Sequence, residues 1–183
     1  MPADPEFTDV FISHSSSDKE YAVATIDFLR ACFEFQDYEI TCTSAPLHGL
    51  VGGVNFERDV QLSISKCKVF VALLSASSLA SVFCVMEMGA AWGRRKTFKP
   101  ILLPGLPAAD VPRPLSSMHL LNWGEPASWL QLADDIHEKT GTKKRRPRSW
   151  HEMAAAVAHR RKAQLVSSPN LQSPESGETV LSG

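Results

Sequence analysis

Glu87 is the one charged side chain in the stretch SVFCVMEMGAAW, residues 81–92, which is otherwise fit for a protein interior. Burying a lone carboxylate costs several kcal/mol unless something compensates it. Phe83 stands four residues earlier, so on a helix the two share one face and lie one turn apart. A ring and an acid so placed can address one ligand. The same pattern also suits an acid paired with an arginine or lysine, or one at a helix edge in water. If Glu87 is buried, desolvation disfavours its charged form and raises its pKa.

Other chemistries are excluded by what the chain lacks. The four cysteines, at 32, 42, 67 and 84, form no CxxC pair and have no histidine at a metal-ligand interval. Neither a disulfide framework nor a metal site is expected, and reduced thiols fit a cytoplasmic protein. No GxGxxG follows the first strand, no GxxxxGK[ST] exists and no GxSxG is present. A phospho-accepting receiver domain would end its third strand on aspartate, where this chain has Leu74-Ser75. The net charge of −1 gives the whole molecule no bias toward nucleic acid or membrane. Residues 69–86 form an uncharged run of 18, near the lower limit for a membrane span. Four serines interrupt it, and it reads as a buried strand followed by a helix. The acidic N-terminal stretch MPADPEFTDV has no apolar h-region and reads as no secretory leader.

The elements that must position Glu87 follow from periodicity. DVFIS (9–13) is a first strand, running into the polar turn HSSSD. Ser17 and Glu20 have the spacing of a capping box, opening a helix with Ala22, Ile26, Leu29 and Phe33 on one face. DYEITC (37–42) alternates as a second strand, followed by the long loop TSAPLHGLVGGVN. Phe56, Val60, Ile64 and Cys67 mark a second helix, with Asn55 as its expected cap. VFVALL (69–74) is a continuous apolar run, the mark of a central parallel strand. The Glu87 helix follows, then strands at 98–103 and 119–123, and a helix from Pro126 to Gly141.

This alternation predicts an α/β fold, a parallel sheet wrapped by helices. Residues 1–8 read as an N-terminal extension and 9–141 as the core domain. Residues 142–166 combine a basic run, KKRRPR, read as a solvated linker, with a helix opened by a second capping box, Ser149 and Glu152. Residues 167–183, without an aromatic and rich in Ser, Pro, Glu and Gly, read as a disordered tail.

Three stretches together carry a family resemblance. DVFISHSSSD, CTSAPLHGLVGGVNF and VFVALLSASSLASVFCVMEMGAAW resemble, in order and spacing, a Toll/interleukin receptor (TIR) domain of bacterial type over residues 9–141. Some members of that family act as adaptors that assemble with other TIR domains. Others cleave NAD, releasing nicotinamide and making ADP-ribose or a cyclic isomer. The resemblance to the second branch implies that Glu87 is the catalytic glutamate and that Phe83 takes the place of an aromatic, often tryptophan, that stacks on substrate. It also implies a flavodoxin-like three-layer sandwich with a central five-stranded parallel sheet, and a loop at 45–55 that gates the site and mediates assembly, for which Ser44 and Leu47 are candidate lid residues, simple loop flexibility being the alternative. His14 and Ser15, at the end of the first strand, are placed to touch ribose or phosphate, a plain turn being the alternative. NAD is then the substrate, and no metal or bound cofactor is implied. Self-association through TIR–TIR contacts, an effector or receptor partner and a role in bacterial immune signalling are further expectations of the family.

One carboxylate suffices for such a reaction. Glycoside hydrolysis ordinarily needs a second carboxyl group to protonate the leaving oxygen. Nicotinamide leaves NAD as a neutral molecule from a cationic pyridinium, so what remains is positive charge developing on the ribose. A carboxylate preorganised where water is excluded stabilises that charge. The rival expectations are a non-enzymatic interaction module, adaptor or host-directed mimic, using the loop at 45–55, and a nucleoside-transferring enzyme that leaves NAD untouched.

Overall fold

Val10–Ser13 and Val69–Leu74 are buried at every position, which only the middle of a sheet covered on both faces allows. In the computed structural model, which describes residues 8–36, 39–42, 56–145 and 150–166, these strands are β1 and β3. With β2 (Ile40–Cys42), β4 (Thr97–Leu102) and β5 (Leu121–Asn122) they form a five-stranded sheet of order β2-β1-β3-β4-β5. Every pairing is parallel, with Ser13 opposite Ala72 and Leu74 opposite Leu102. The flavodoxin-like expectation holds.

Strand parity divides the core in two. Val10 and Ile12 of β1, with Val69, Val71 and Leu73 of β3, face one cluster; Phe11, Phe70, Ala72 and Leu74 face the other. The first cluster is covered by α1 (Lys19–Cys32), α5 (Pro126–Thr140) and α6 (Trp150–Val166), and includes the aromatic train Tyr21, Trp123, Trp129 and Phe28. The second is covered by α2 (Phe56–Lys66) and α4 (Val82–Gly93), through Val60, Ile64, Cys84, Met88 and Ala91. Phe11 and Phe70 stack within it, ring centroids 5.4 Å apart.

Local rules set several boundaries as expected. Pro126 opens α5, and Gly141 closes it in the left-handed conformation at φ 72°, which favours glycine. Three details depart from expectation. The Ser17–Glu20 box does not form: α1 starts at Lys19 behind a 3-10 turn (Ser16–Asp18), because Ser17 Oγ bonds Ser15 Oγ at 2.8 Å and Asp18 takes the cap position. A short helix, α3 (Ala76–Ala80), precedes α4, capped reciprocally by Ser75 and Ser78. Part of the basic run, exposed at Lys143 and Arg145 as a solvated linker would be, is also a strap. Lys144 bridges antiparallel to Phe33, Arg145 N–H donates to the Cys32 carbonyl at 2.8 Å, and Lys144 lies over the Trp150 ring. Tied this way, α6 buries Ala154, Val157 and Ala158 in the first cluster. Asn55 and Ser149, expected caps, lie outside the described residues, as does the tail from 167.

Candidate active site

Ser13, the last residue of β1, shares parity with Phe11 and so faces the α2–α4 side of the sheet. Across from it α4 begins at Val82, where Ser81 Oγ accepts from Cys84 N–H at 3.3 Å. That start places Cys84, Glu87, Met88 and Ala91 on the face against the sheet. Strand parity and helix period thus aim two polar side chains, 74 residues apart, at each other. Ser13 Oγ donates to Glu87 Oε2 at 2.6 Å.

Glu87 is 3% exposed, and its second oxygen, Oε1, is sealed from solvent and has no hydrogen-bond partner. No arginine or lysine among the described residues is paired with it. An unpaired buried oxygen costs about 1–3 kcal/mol, more when charged. Burial pushes the carboxyl up from 4.5 to about 7, with the Ser13 hydrogen bond pulling weakly the other way. The group therefore titrates across the neutral range.

Glu87 lines a cleft of about 230 Å³ between α2 and α4. Val60 and Ile64 form one apolar wall, and Phe83, Met86 and Ala90 the other. Phe83 is 39% exposed and lies one turn before Glu87, so ring and carboxylate open onto the same space. Glu57 and Gln61 supply further polar atoms from α2, and no basic side chain lines the cleft among the described residues. Such a space suits a flat, uncharged or cationic group with an acid beside it.

The other expected site residues divide differently. His14 and Ser15 are buried at the same edge of the sheet but are not among the residues lining this cleft. Cys42 Sγ is 3.5 Å from His14 Nδ1, and burial holds the imidazole below its ordinary pKa against the smaller opposing pulls of the Ile12 backbone and the Asp18 charge. Ser15 Oγ donates to Asp18 Oδ2. Ser44, Leu47 and the loop 45–55 lie outside the described residues. Two residues the sequence reading passed over matter more. Ser13 was legible only as a polar residue ending an apolar strand with the parity of Phe11. Asp18, 5% exposed, receives both Ser15 and, at 2.6 Å, Ser75 Oγ, tying the β1–α1 turn to the start of α3.

Nucleophilic thiol chemistry finds no support at the cysteines in the core. Burial pushes Cys32 and Cys67 up to about 12 and about 11, leaving them protonated, and also raises Cys84. Among the described residues no group of three or more His, Cys, Asp or Glu is arranged to hold a metal ion. No helix among them is long and apolar enough to cross a membrane.

Comparison with known proteins brings out one family. A family model described as a TIR domain matches residues 10–140. An uncharacterized protein of Bacillus subtilis, YddK, is 32% identical over 96 residues; the match covers 52% of this chain and 36% of that protein's length. The TIR domain of the Toll-related receptor TRR-2 from Hydra magnipapillata is similar in structure, with TM-score 0.56 and 20% identity over 71% of this chain and 98% of that one. A metazoan TIR-STING receptor from C. gigas is also similar, with TM-score 0.51 and 21% identity over 76% of this chain and 42% of that one. These two likenesses concern the fold.

Proposed function

The chain belongs to the TIR domain family, and from that premise we propose that it cleaves the nicotinamide–ribose bond of NAD, with Glu87 as the catalytic carboxylate. TIR domains serve either as NAD-cleaving enzymes or as interaction modules, so the family alone does not choose. The observation that favours the enzyme is the state of Glu87. It is dry, bonded through one oxygen only and without a basic partner, and it lies one turn from an aromatic ring on a common cleft. An interaction module has no use for a carboxylate held at this cost.

In this reading the pyridinium–ribose half of NAD enters the cleft and Phe83 packs on a flat face of the ligand. The C–N bond breaks with its electron pair going to the ring nitrogen, so nicotinamide leaves neutral. Positive charge then develops on the ribose ring oxygen and anomeric carbon. The Glu87 carboxylate stabilises that charge in a space where water screens it poorly. Water adds to the anomeric carbon and loses a proton, giving ADP-ribose; attack by an adenine nitrogen instead gives a cyclic isomer. Because a cation replaces the missing partner of Oε1, substrate binding favours the ionised carboxyl and draws its pKa down.

One observation favours a second role, self-association. Val82, Val85 and Met86, at 74%, 48% and 65% exposed, form an apolar outer face on the same helix, with Met86 at the rim of the cleft. TIR domains commonly self-associate, and assembly through such a face would place neighbouring chains beside the cleft. A signalling role in bacterial defence, triggered by assembly, is consistent with both.

The test is incubation of concentrated purified protein with NAD, followed by chromatographic measurement of nicotinamide, ADP-ribose and cyclic isomers. The expected result is nicotinamide in equal amount to NAD lost, at a rate per molecule that rises with protein concentration, while free nucleosides stay intact. Intact NAD in the presence of demonstrated assemblies would overturn the enzymatic reading and leave the interaction module.

A further inference from the structure

We infer that Ser13 is a positioning residue for Glu87: its hydroxyl pins Oε2 and sets the plane of the carboxylate beside the cleft, leaving Oε1 without a partner. This rests on the proposed reaction and adds a residue to its machinery.

Ser13 is well suited to the task. It ends β1, a strand flanked by β2 and β3, and its own backbone is paired with Ala72 of β3. It is 2% exposed, and a serine hydroxyl has one proton, here given to Glu87 at 2.6 Å. Glu87 has further rotatable bonds on α4, and with Oε1 unpartnered the Ser13 bond is, among the described residues, the hydrogen bond that fixes where the carboxylate points. A carboxylate that need not search for its geometry at the moment of reaction is the condition for strong electrostatic stabilisation.

The hydroxyl also biases protonation, since a hydrogen bond donated to the charged form favours it. Among the described residues, the titratable groups around Glu87 supply no competing cation. On its own helix Cys84 feels both Glu87 and Ser13, and from α2 Glu57 lines the same cleft. From the β1 edge come His14, whose pKa burial lowers, and Asp18, engaged with Ser15 and Ser75. From α3 and β3 no titratable side chain contributes. Ser13 is thus the lever that keeps the acid ionisable.

The experiment compares Ser13→Ala and Ser13→Thr with the wild type, full chain, in two readouts. In NAD cleavage, Ser13→Ala is expected to lower kcat roughly 10–100-fold with KM within about threefold, and to move the acidic limb of the pH–rate profile upward. Ser13→Thr, which keeps a hydroxyl, restores most of both. Independently of activity, 13C NMR titration of glutamate carboxyls, with Glu87 identified by its absence in Glu87→Gln, is expected to show its midpoint raised in Ser13→Ala. An unmoved midpoint in Ser13→Ala overturns the inference whether or not NAD is cleaved. So does a kcat loss that the threonine variant leaves unrescued although it melts as the wild type does. A raised midpoint in a protein that leaves NAD intact supports the Ser13–Glu87 coupling while removing the NAD reading.

Discussion

Asp18 and Glu87 are both carboxylates buried at the carboxyl edge of the sheet, 5% and 3% exposed, and the protein treats them in opposite ways. Asp18 Oδ2 receives two serine hydroxyls, Ser15 from its own turn and Ser75 from the end of β3. Glu87 receives one, from Ser13, and its other oxygen has no partner, while the side chain lines a cleft. A buried acid with its donors supplied acts as a brace. A buried acid with a donor withheld holds unfavourable free energy that a ligand can relieve. The strand order reverses beside β1 and β3, where open parallel sheets bind ligands, and both acids sit at that reversal.

The comparison can be broken by stability measurements before any substrate is added. The largest effect is expected at the brace. Asp18→Ala strands two hydroxyls, the buried Ser15 and the half-buried Ser75, and should cost about 2–4 kcal/mol, lowering Tm by roughly 5–15 °C. A variant that melts with the wild type would show that Asp18 ties nothing together.

The opposite sign is expected at Glu87. Its carboxyl titrates near 7 folded against 4.5 in the ordinary state, so the unfolded chain gives up this proton first as pH rises. Between those values the unfolded state holds fewer protons, and this group makes stability fall with rising pH. Below 4.5 it has no effect; above 7 the loss is complete, at most about 3 kcal/mol. Glu87→Gln removes the loss, so it should melt several degrees above the wild type at pH 8, with the advantage fading at pH 5. Equal melting at both pH values would mean that Glu87 is compensated after all.

The smallest effect belongs to Phe83, whose ring is partly exposed on the cleft. Phe83→Ala should raise KM for NAD about three- to tenfold, in line with about 1 kcal/mol of ring contact, while Phe83→Trp should bind at least as well. Unchanged KM in the alanine variant would remove the ring from the substrate site.

Much of this was readable from one sequence because periodicity reports faces. The apolar run at 69–74 is β3 residue for residue, Pro126 and Gly141 bracket α5, and the lone acid at 87 does line a cleft with Phe83. Partners are another matter. The Ser13–Glu87 and Ser75–Asp18 bonds join residues 74 and 57 apart, and no spacing rule gives contacts created by chain crossover. The Ser17–Glu20 box failed for the same reason: local spacing favoured it, while Asp18 was held in the cap position by serines from two turns. The strap at residues 144–145 was not legible because Arg145 donates to the backbone carbonyls of Cys32 and Phe33, distant in sequence, and Lys144 meets Asp134 of α5 and the Trp150 ring of α6.

The most direct measurement is nicotinamide release from NAD by Glu87→Gln beside the wild type, at equal high concentration and at a pH where melting shows both folded. The amide keeps the shape and can still accept from Ser13, so the charge alone is removed. A loss of about a thousandfold or more in kcat is predicted, in a variant at least as stable as the wild type. A glutamine variant that releases nicotinamide within tenfold of the wild-type rate would contradict the account.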